Sequence, residues 1–289
     1  MPTFRPDRRL GFLIVTASTL AWSTAGLFIR FIDLDTASVL VWRGVFATLG
    51  LLAVLLATQG LAGFKGFARL GRIGWLYTLI STAGMFLYIG ALTNTSIAHV
   101  SVIYAAVPFL AAGLGWLMLG ERPPASALLA SAAALAGAVV MVGFGHDGTL
   151  LGDLMALGMT IGMAFLIVIG RRSPDIPTLP AGALSGVIAA VVALPFATTL
   201  HPTGEQIMLL AAFGLVNSAI GFSLFLIGSR HLPPVETALL GALEAPVAPL
   251  WVWLVFNETP APATLIGGTV VMAAAIAHIL AENRRPAPT

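Results

Sequence analysis

WLMLGERPPASALL occupies residues 116–129, and WLVFNETPAPATLI occupies residues 253–266. Set against each other at an offset of 137, they agree at Trp116/Trp253, Leu117/Leu254, Glu121/Glu258, Pro123/Pro260 and Leu128/Leu265. A phrase repeated half a chain apart points to a duplicated structural unit. Weaker matches extend it. Gly11/Gly152 and Arg30/Arg171 share an offset of 141, and Pro108 and Pro246 lie 138 apart, so the register slips by one residue near the prolines.

Composition says which solvent the duplicated unit meets. The 289 residues are 58% hydrophobic and only 9% charged, whereas a soluble domain carries about 25% charged residues. So little polar surface cannot cover a core this apolar in water, and the chain is read as a lipid-embedded protein. The net charge of +2 is no nucleic-acid footprint. Cysteine is absent, which excludes thiol chemistry and disulfides. No cleavable signal is read, because MPTFRPDRRL runs straight into an apolar stretch of spanning length.

A helix crosses a bilayer with roughly 20 apolar residues. Ten such stretches are predicted, at about 10–31, 37–58, 74–93, 99–119, 125–144, 151–170, 179–199, 206–228, 235–256 and 261–281. Turn-like or charged segments separate them, of which TNTSIAH between the third and fourth is the least distinct. Lys and Arg stay on the cytoplasmic side. With the N-terminus inside, the inner segments hold Arg5, Arg8, Arg9, Lys65, Arg69, Arg72, Arg122, Arg171, Arg172, Arg230, Arg284 and Arg285, which is 12 of the 14 Lys plus Arg. The outer loops carry Asp33, Asp35, Asp147, Glu205 and Glu258. The expected fold is therefore all-α and integral to the membrane, with two five-helix halves, residues 1–146 and 147–289. Five is odd, so the second half is inverted: Glu121 falls inside and its copy Glu258 outside. Inverted repeats around a shared site are what alternating access requires.

The stretches FLYIGALTNTSIAHVSVIYAAVPFLAAGLGWLMLGE (residues 86–121) and LFLIGSRHLPPVETALLGALEAPVAPLWVWLVFNE (residues 224–258) resemble the paired EamA modules of the drug/metabolite transporter superfamily. In that family each half closes its fourth helix with a proline, an apolar run and Gly-Glu. WRGVFATL on the second helix resembles the family's Arg-containing segment. Within the family the chain looks most like the aromatic amino acid exporters of the YddG type. The resemblance implies a ten-helix basket, a central cavity lined by helices 1, 3, 4, 6, 8 and 9, and export of amino acids or related metabolites. Asn257 departs from the pattern, standing where Gly is usual before Glu258.

Polar and aromatic groups deep in a span need a reason. On the third helix Tyr77, Ser81, Gly84, Met85 and Tyr88 fall on one face. Its repeat partner, the eighth, offers Gly214, Asn217, Ser218, Gly221 and Phe225 at matching spacing. Trp22 and Ser23 sit mid-span on the first helix, Met163 on the sixth, and His99, Ser101 and Tyr104 on the fourth. These are the candidate cavity residues. The competing reading is packing: small residues let helices approach, Met fills gaps, and Tyr77 near the inner interface can serve as a belt anchor. Glu244 is the sharpest single candidate, deep in the ninth helix just before Pro246, either meeting a substrate ammonium or a proton, or standing as a neutral scaffold group. Arg43, Pro108 and Pro246 are read as structural or gating residues. Arg43 is expected to snorkel outward or to pair with Asp33 or Asp35. His99 and Glu236 occupy corresponding entrances of the fourth and ninth helices, as gates or as solvated helix ends.

GFGHDG fits G-x-G-x-x-G but follows a membrane helix, so no dinucleotide site is read there. No G-x-x-x-x-G-K-[ST] and no H-E-x-x-H occurs in the sequence. Catalytic, metal and cofactor roles are assigned to no residue. The expected function is secondary transport: export of amino acids, aromatic and other hydrophobic ones included, across the cytoplasmic (inner) membrane of a bacterium. The protein is expected to be a multi-pass monomer with both termini cytoplasmic, whose partners are lipid and a small-molecule substrate, with no nucleic acid. The alternatives are efflux of drugs or other metabolites by the same fold, and an intramembrane enzyme, against which the lack of a paired nucleophile and base counts.

Overall fold

A computed structural model describes residues 7–95, 97–142, 149–257, 259 and 261–283. Among these, every regular element is helical. The first span is broken into α1 (Arg8–Ser23) and α2 (Ala25–Phe31), and α3 (Thr36–Gln59) is continuous. After the short α4 (Lys65–Ala68) comes α5 (Gly71–Asn94). The next span is broken into α6 (Ile97–Tyr104) and α7 (Val107–Leu119), followed by α8 (Ala125–Val142), α9 (Leu150–Arg172) and α10 (Thr178–Ala193). Then α11 (Gly204–Phe213) passes through a π-helical segment, Gly214–Gly221, into α12 (Phe222–Gly228). A last broken span, α13 (Pro234–Gly241) and α14 (Glu244–Phe256), precedes α15 (Pro262–Asn283). Nine of the described stretches are long and apolar enough to cross a bilayer, and Ala125–Met141 is a shorter apolar helix. The residues predicted to end that span, 143 and 144, lie outside the described residues, as do Glu258, Asp147 and the terminal Arg5, Arg284 and Arg285.

The repeated phrase has a backbone counterpart. Gly120 ends α7 in the left-handed conformation at φ 72°, and Asn257 ends α14 the same way at φ 54°. A left-handed helix cap is the place where only Gly is unstrained and Asn is tolerated best after it. The departure from Gly at residue 257 therefore keeps the cap. The shared Trp and Leu face outward: Leu117 is 83% exposed and Leu254 70%, with Trp116 and Trp253 also exposed. Lipid covers such side chains at no cost, and tryptophan suits the membrane interface.

The helix breaks repeat as well. Residues 105–106 interrupt the span that continues as α7, and residues 242–243 interrupt the one that continues as α14, again 137 apart. Pro108 and Pro246 follow the breaks. Each lacks an N–H and crowds the carbonyl four residues back, so the helix cannot run through without distortion. The break at Thr24 has no proline. There the Ser23 and Thr24 hydroxyls donate back to the carbonyls of Leu20 and Ala21, at 2.8 and 2.6 Å, a bond that bends helices.

Small residues set the closest helix contacts. A Cβ on Gly44 of α3 would meet the Gly186 carbonyl of α10 at 2.6 Å, and one on Gly137 of α8 would meet that of Gly267 of α15 at 2.7 Å. Without a hydrophobic drive between helices in lipid, such close backbone approach supplies the packing. Thr78 and Thr82 of α5 add hydrogen bonds to the α10 carbonyls of Ala181 and Ser185. At one end of the bundle α7 packs against α13 and α9. At the other, α6 packs on α8 and α9 and shares no extensive interface with α14 among the described residues. The end where α7 meets α13 is called the closed end, and the end where α6 and α14 share no such interface among the described residues the parted end.

The parted end carries the loop before α3. Asp35 caps α3 by accepting from the Ser38 backbone N–H at 3.0 Å, and it accepts from the Thr198 hydroxyl at 2.5 Å. Partial burial pushes the Asp35 carboxyl upward, but the hydrogen bonds from Ser38 and Thr198 outweigh it and hold the group at about 2. Asp35 is therefore ionised at neutral pH and already engaged, which removes it as the partner expected for Arg43.

Candidate functional site

The broken first span and the π-helical segment meet and satisfy each other. The Trp22 indole N–H donates to the Asn217 carbonyl at 3.0 Å, and the Ser18 hydroxyl donates to the Gly221 carbonyl at 2.7 Å. In return the Asn217 amide donates to the carbonyls of Trp22 at 3.0 Å and Ala21 at 3.4 Å. Distorted helix inside a membrane is tolerated where side chains take up the freed backbone groups. Asn217 is 4% exposed and cannot be replaced by an apolar residue without stranding those groups.

Asn217 also receives the Arg43 guanidinium, whose Nη2 donates to its side-chain oxygen at 3.2 Å. The guanidinium lies over the Phe213 ring, 4.9 Å from the centroid, an attraction that strengthens when water is excluded. The expected outward snorkel is corrected here: Arg43 turns inward, because Asp35 is occupied and Asn217 and Phe213 offer a buried seat. Its charge lies within electrostatic reach of Glu244 on α14 and Tyr88 on α5, and Tyr104 on α6 joins the same group. Arg43 and Glu244 are nevertheless not in ion-pair contact, and Glu244 is partly exposed with no hydrogen-bond partner among the described residues. An acidic and a basic side chain thus lie within electrostatic reach of each other near the helix breaks, together with Tyr88 and Tyr104.

The remaining candidates divide by surroundings. Phe225 packs against Trp22 with the rings tilted at 38° and their centroids 4.9 Å apart, and Met163 and Tyr104 pack around the same cluster. Ser23 is 1% exposed and accepts from the Trp251 indole at 2.8 Å. Ser218 is buried with its hydroxyl unpartnered among the described residues. Tyr77, 1% exposed, sits in the packed core toward Arg230 and away from the breaks. Ser81 turns its hydroxyl to Ser185 of α10 at 3.3 Å, so it stitches helices together. Met85, on the same helix, is half-buried. Gly84 lines an outward apolar groove of about 380 Å³ with Ile80, Gly158 and Gly162. The side chains of His99 and Ser101 lie outside the described residues. Pro108 is buried behind the α6–α7 break, and a Cβ on Gly268 of α15 would meet that of Pro246 at 3.1 Å.

Sequence reasoning missed three contributors. Phe213 precedes Asn217 by one turn, and Trp251 follows Glu244 by two, so helical spacing from the chosen residues would have found both. His278, a lone imidazole in an apolar span, carried the same signal as Glu244. It is 3% exposed and lies at the closed end, 3.7 Å from Glu236, which is itself 1% exposed and paired with Arg8 at 2.5 Å. The solvated-end reading of Glu236 is thereby corrected: α1, α7 and α15 cover it.

The sequence profile of the EamA-like transporter family matches this chain twice, over residues 9–143 and 150–280. An uncharacterized transporter of Archaeoglobus fulgidus is 26% identical over 267 residues, covering 92% of this chain and 94% of its own length. A solved crystal structure superposes with a TM-score of 0.84, covering 96% of this chain and all of its own, at 21% identity. At that identity the likeness speaks for the fold alone.

Proposed function

The chain belongs to the EamA-like transporter family, and from that premise we propose that it exports amino acids, aromatic and other hydrophobic ones included, by alternating access. It is a multi-pass membrane protein. The observation that carries the substrate reading is that Glu244 and Arg43 lie within electrostatic reach of each other, with Tyr88 and Tyr104 in the same group. An α-amino acid is a zwitterion with an ammonium, a carboxylate and a side chain. Glu244 suits the first, Arg43 the second, and the rings of Trp22, Tyr104 and Phe225 the third. A nucleotide-linked sugar carries more negative charge than one guanidinium, already held by Asn217, can meet.

Alternating access follows from the breaks. We read the chain as two inverted five-helix halves, 1–146 and 147–289, making ten membrane helices with both termini cytoplasmic. The twofold family match, the paired left-handed caps and the paired breaks 137 apart all support this. In that orientation the closed end is cytoplasmic and the parted end outward. Rocking α7 and α13 about residues 105–106 and 242–243 would exchange the two. Cysteines placed singly at Glu121 and at Glu205, both away from the interior, test the orientation in a chain with no cysteine of its own. An impermeant maleimide should reach Glu121→Cys from the cytoplasmic side only and Glu205→Cys from the outside only. Labelling of both from one side overturns the ten-helix inverted topology.

Counterflow into proteoliposomes tests the substrate reading. Vesicles loaded with phenylalanine should accelerate uptake of labelled phenylalanine, tyrosine and leucine. If no amino acid exchanges and a lipophilic cationic drug does, the drug-efflux alternative replaces this one. Recovery of chemically altered label would instead indicate the enzyme alternative.

A further inference from the structure

Away from the substrate region, three ionisable groups converge at the closed end from three helices. Glu236 of α13 accepts from the Arg8 Nη2 of α1 at 2.5 Å, and His278 of α15 brings its Nε2 to 3.7 Å from the same carboxylate oxygen. The burial is uneven. The side chains of Glu236 and His278 are 2% and 1% exposed, while that of Arg8 is 40% exposed. Neither imidazole nitrogen has a hydrogen-bond partner, nor has the second carboxylate oxygen of Glu236, among the described residues. The group sits beside a cleft of about 200 Å³ between α7 and α13, which also reaches Gly115, Glu121 and Arg122.

We propose that Glu236 and His278 form a proton-binding site that works against the Arg8 latch: the closed end is held by Arg8, and a proton taken up from the cytoplasm replaces Arg8 when that end opens. This rests on the alternating-access reading above, and on the orientation given there. A buried carboxylate left without a counter-charge is costly, so Glu236 must stay neutralised in both states. In the closed state the guanidinium does it. Arg8 is half in water, so its departure with α1 costs little on its own side. On opening, the imidazole already beside Glu236 can take a proton and donate it toward the carboxylate oxygen that Arg8 vacates. The unsatisfied nitrogens of His278 are otherwise unexplained, because an imidazole held there for packing alone strands two polar atoms. Around the site, Glu121 faces Arg171 at 3.5 Å, His231 accepts from the Asp7 backbone N–H at 3.0 Å, and Arg122 lines the cleft.

A proton bound more tightly by the open state shifts the equilibrium toward opening as pH falls. One proton gives at most about a tenfold change in the open-to-closed ratio per pH unit. The test is a distance measurement between spin labels on cysteines at Leu10 of α1 and Leu117 of α7, both exposed to lipid. As the pH is lowered, the wild-type background should move from the short to the long separation. His278→Gln should lose that shift. Arg8→Gln should populate the long separation at all pH values. A pH-independent distribution in the wild type overturns the proposal, and so does a shift of full size in His278→Gln. If no second separation appears with added amino acid, at any pH or in Arg8→Gln, the alternating-access reading fails and the proton site with it.

Discussion

Replacing Arg43 with glutamine should abolish exchange of phenylalanine while largely sparing exchange of phenethylamine, which lacks the carboxylate. Glutamine keeps a donor for Asn217 but removes the charge that faces Glu244. Hydrogen bonds to a charged group are worth about 1.5–3 kcal/mol, so losing the substrate carboxylate's partner predicts a fall of roughly 12- to 140-fold in apparent affinity. Two other roles for Arg43 give different outcomes. A guanidinium that only braces α3 against the π-helical segment, through Asn217 and Phe213, would lower thermal stability and depress exchange of every substrate alike. An Arg43 that only balances the charge of Glu244 would affect the amine more than the amino acid, because Glu244 is the ammonium's partner. Counterflow of the two compounds, with a melting curve of each variant in detergent, separates the three. Equal loss for both compounds removes Arg43 from substrate recognition. Arg43→Lys sharpens the comparison, since it keeps the charge but not the planar fork that binds a carboxylate in two places.

The all-helical membrane class was legible for a simple reason. Lipid demands long apolar helices, and duplication wrote the same turn chemistry twice, so Gly120 and Asn257, or Pro108 and Pro246, could be paired by inspection. The interior was legible only in part. Periodicity identifies which residues share a helix face, but not which neighbour that face meets. Tyr77, Ser81 and Tyr88 share a face of α5, yet Tyr77 is consumed by the core, Ser81 by α10, and Tyr88 alone reaches the charged region. Arg43 shows the opposite error. Its helix is expected to be peripheral and its side chain to snorkel outward or to pair with Asp33 or Asp35, but a long side chain crosses the distance that the helix position does not. The π-helical segment was not legible at all. GLVNSAIG reads as ordinary helix, and the distortion becomes stable only because Trp22 and Ser18, some 200 residues away in sequence, take its carbonyls.

Glu244→Gln should fold normally and lose most amino acid exchange. The substitution preserves shape and hydrogen-bonding capacity and removes only the ability to ionise. It leaves the α13–α14 break intact, because that break follows from Pro246 and not from the carboxyl. With a neutral amide at residue 244, the substrate ammonium enters a region whose remaining charge is the Arg43 guanidinium, so the like-charge contact opposes binding where the carboxylate had favoured it. The loss should therefore exceed that of one neutral hydrogen bond, about 1 kcal/mol, and exchange of phenethylamine should fall at least as far as that of phenylalanine. Phenylpropionate, which lacks the ammonium, should be unaffected or improved. That ordering is the reverse of the one expected for Arg43→Gln, and the two variants together assign each end of the zwitterion to its residue. Rates are to be taken across a range of pH on both variants and the wild type. If Glu244→Gln matches the wild type in rate, in substrate ordering and in pH dependence, the carboxyl is scaffold, and the interior recognises its substrate by Arg43 and the aromatic rings alone.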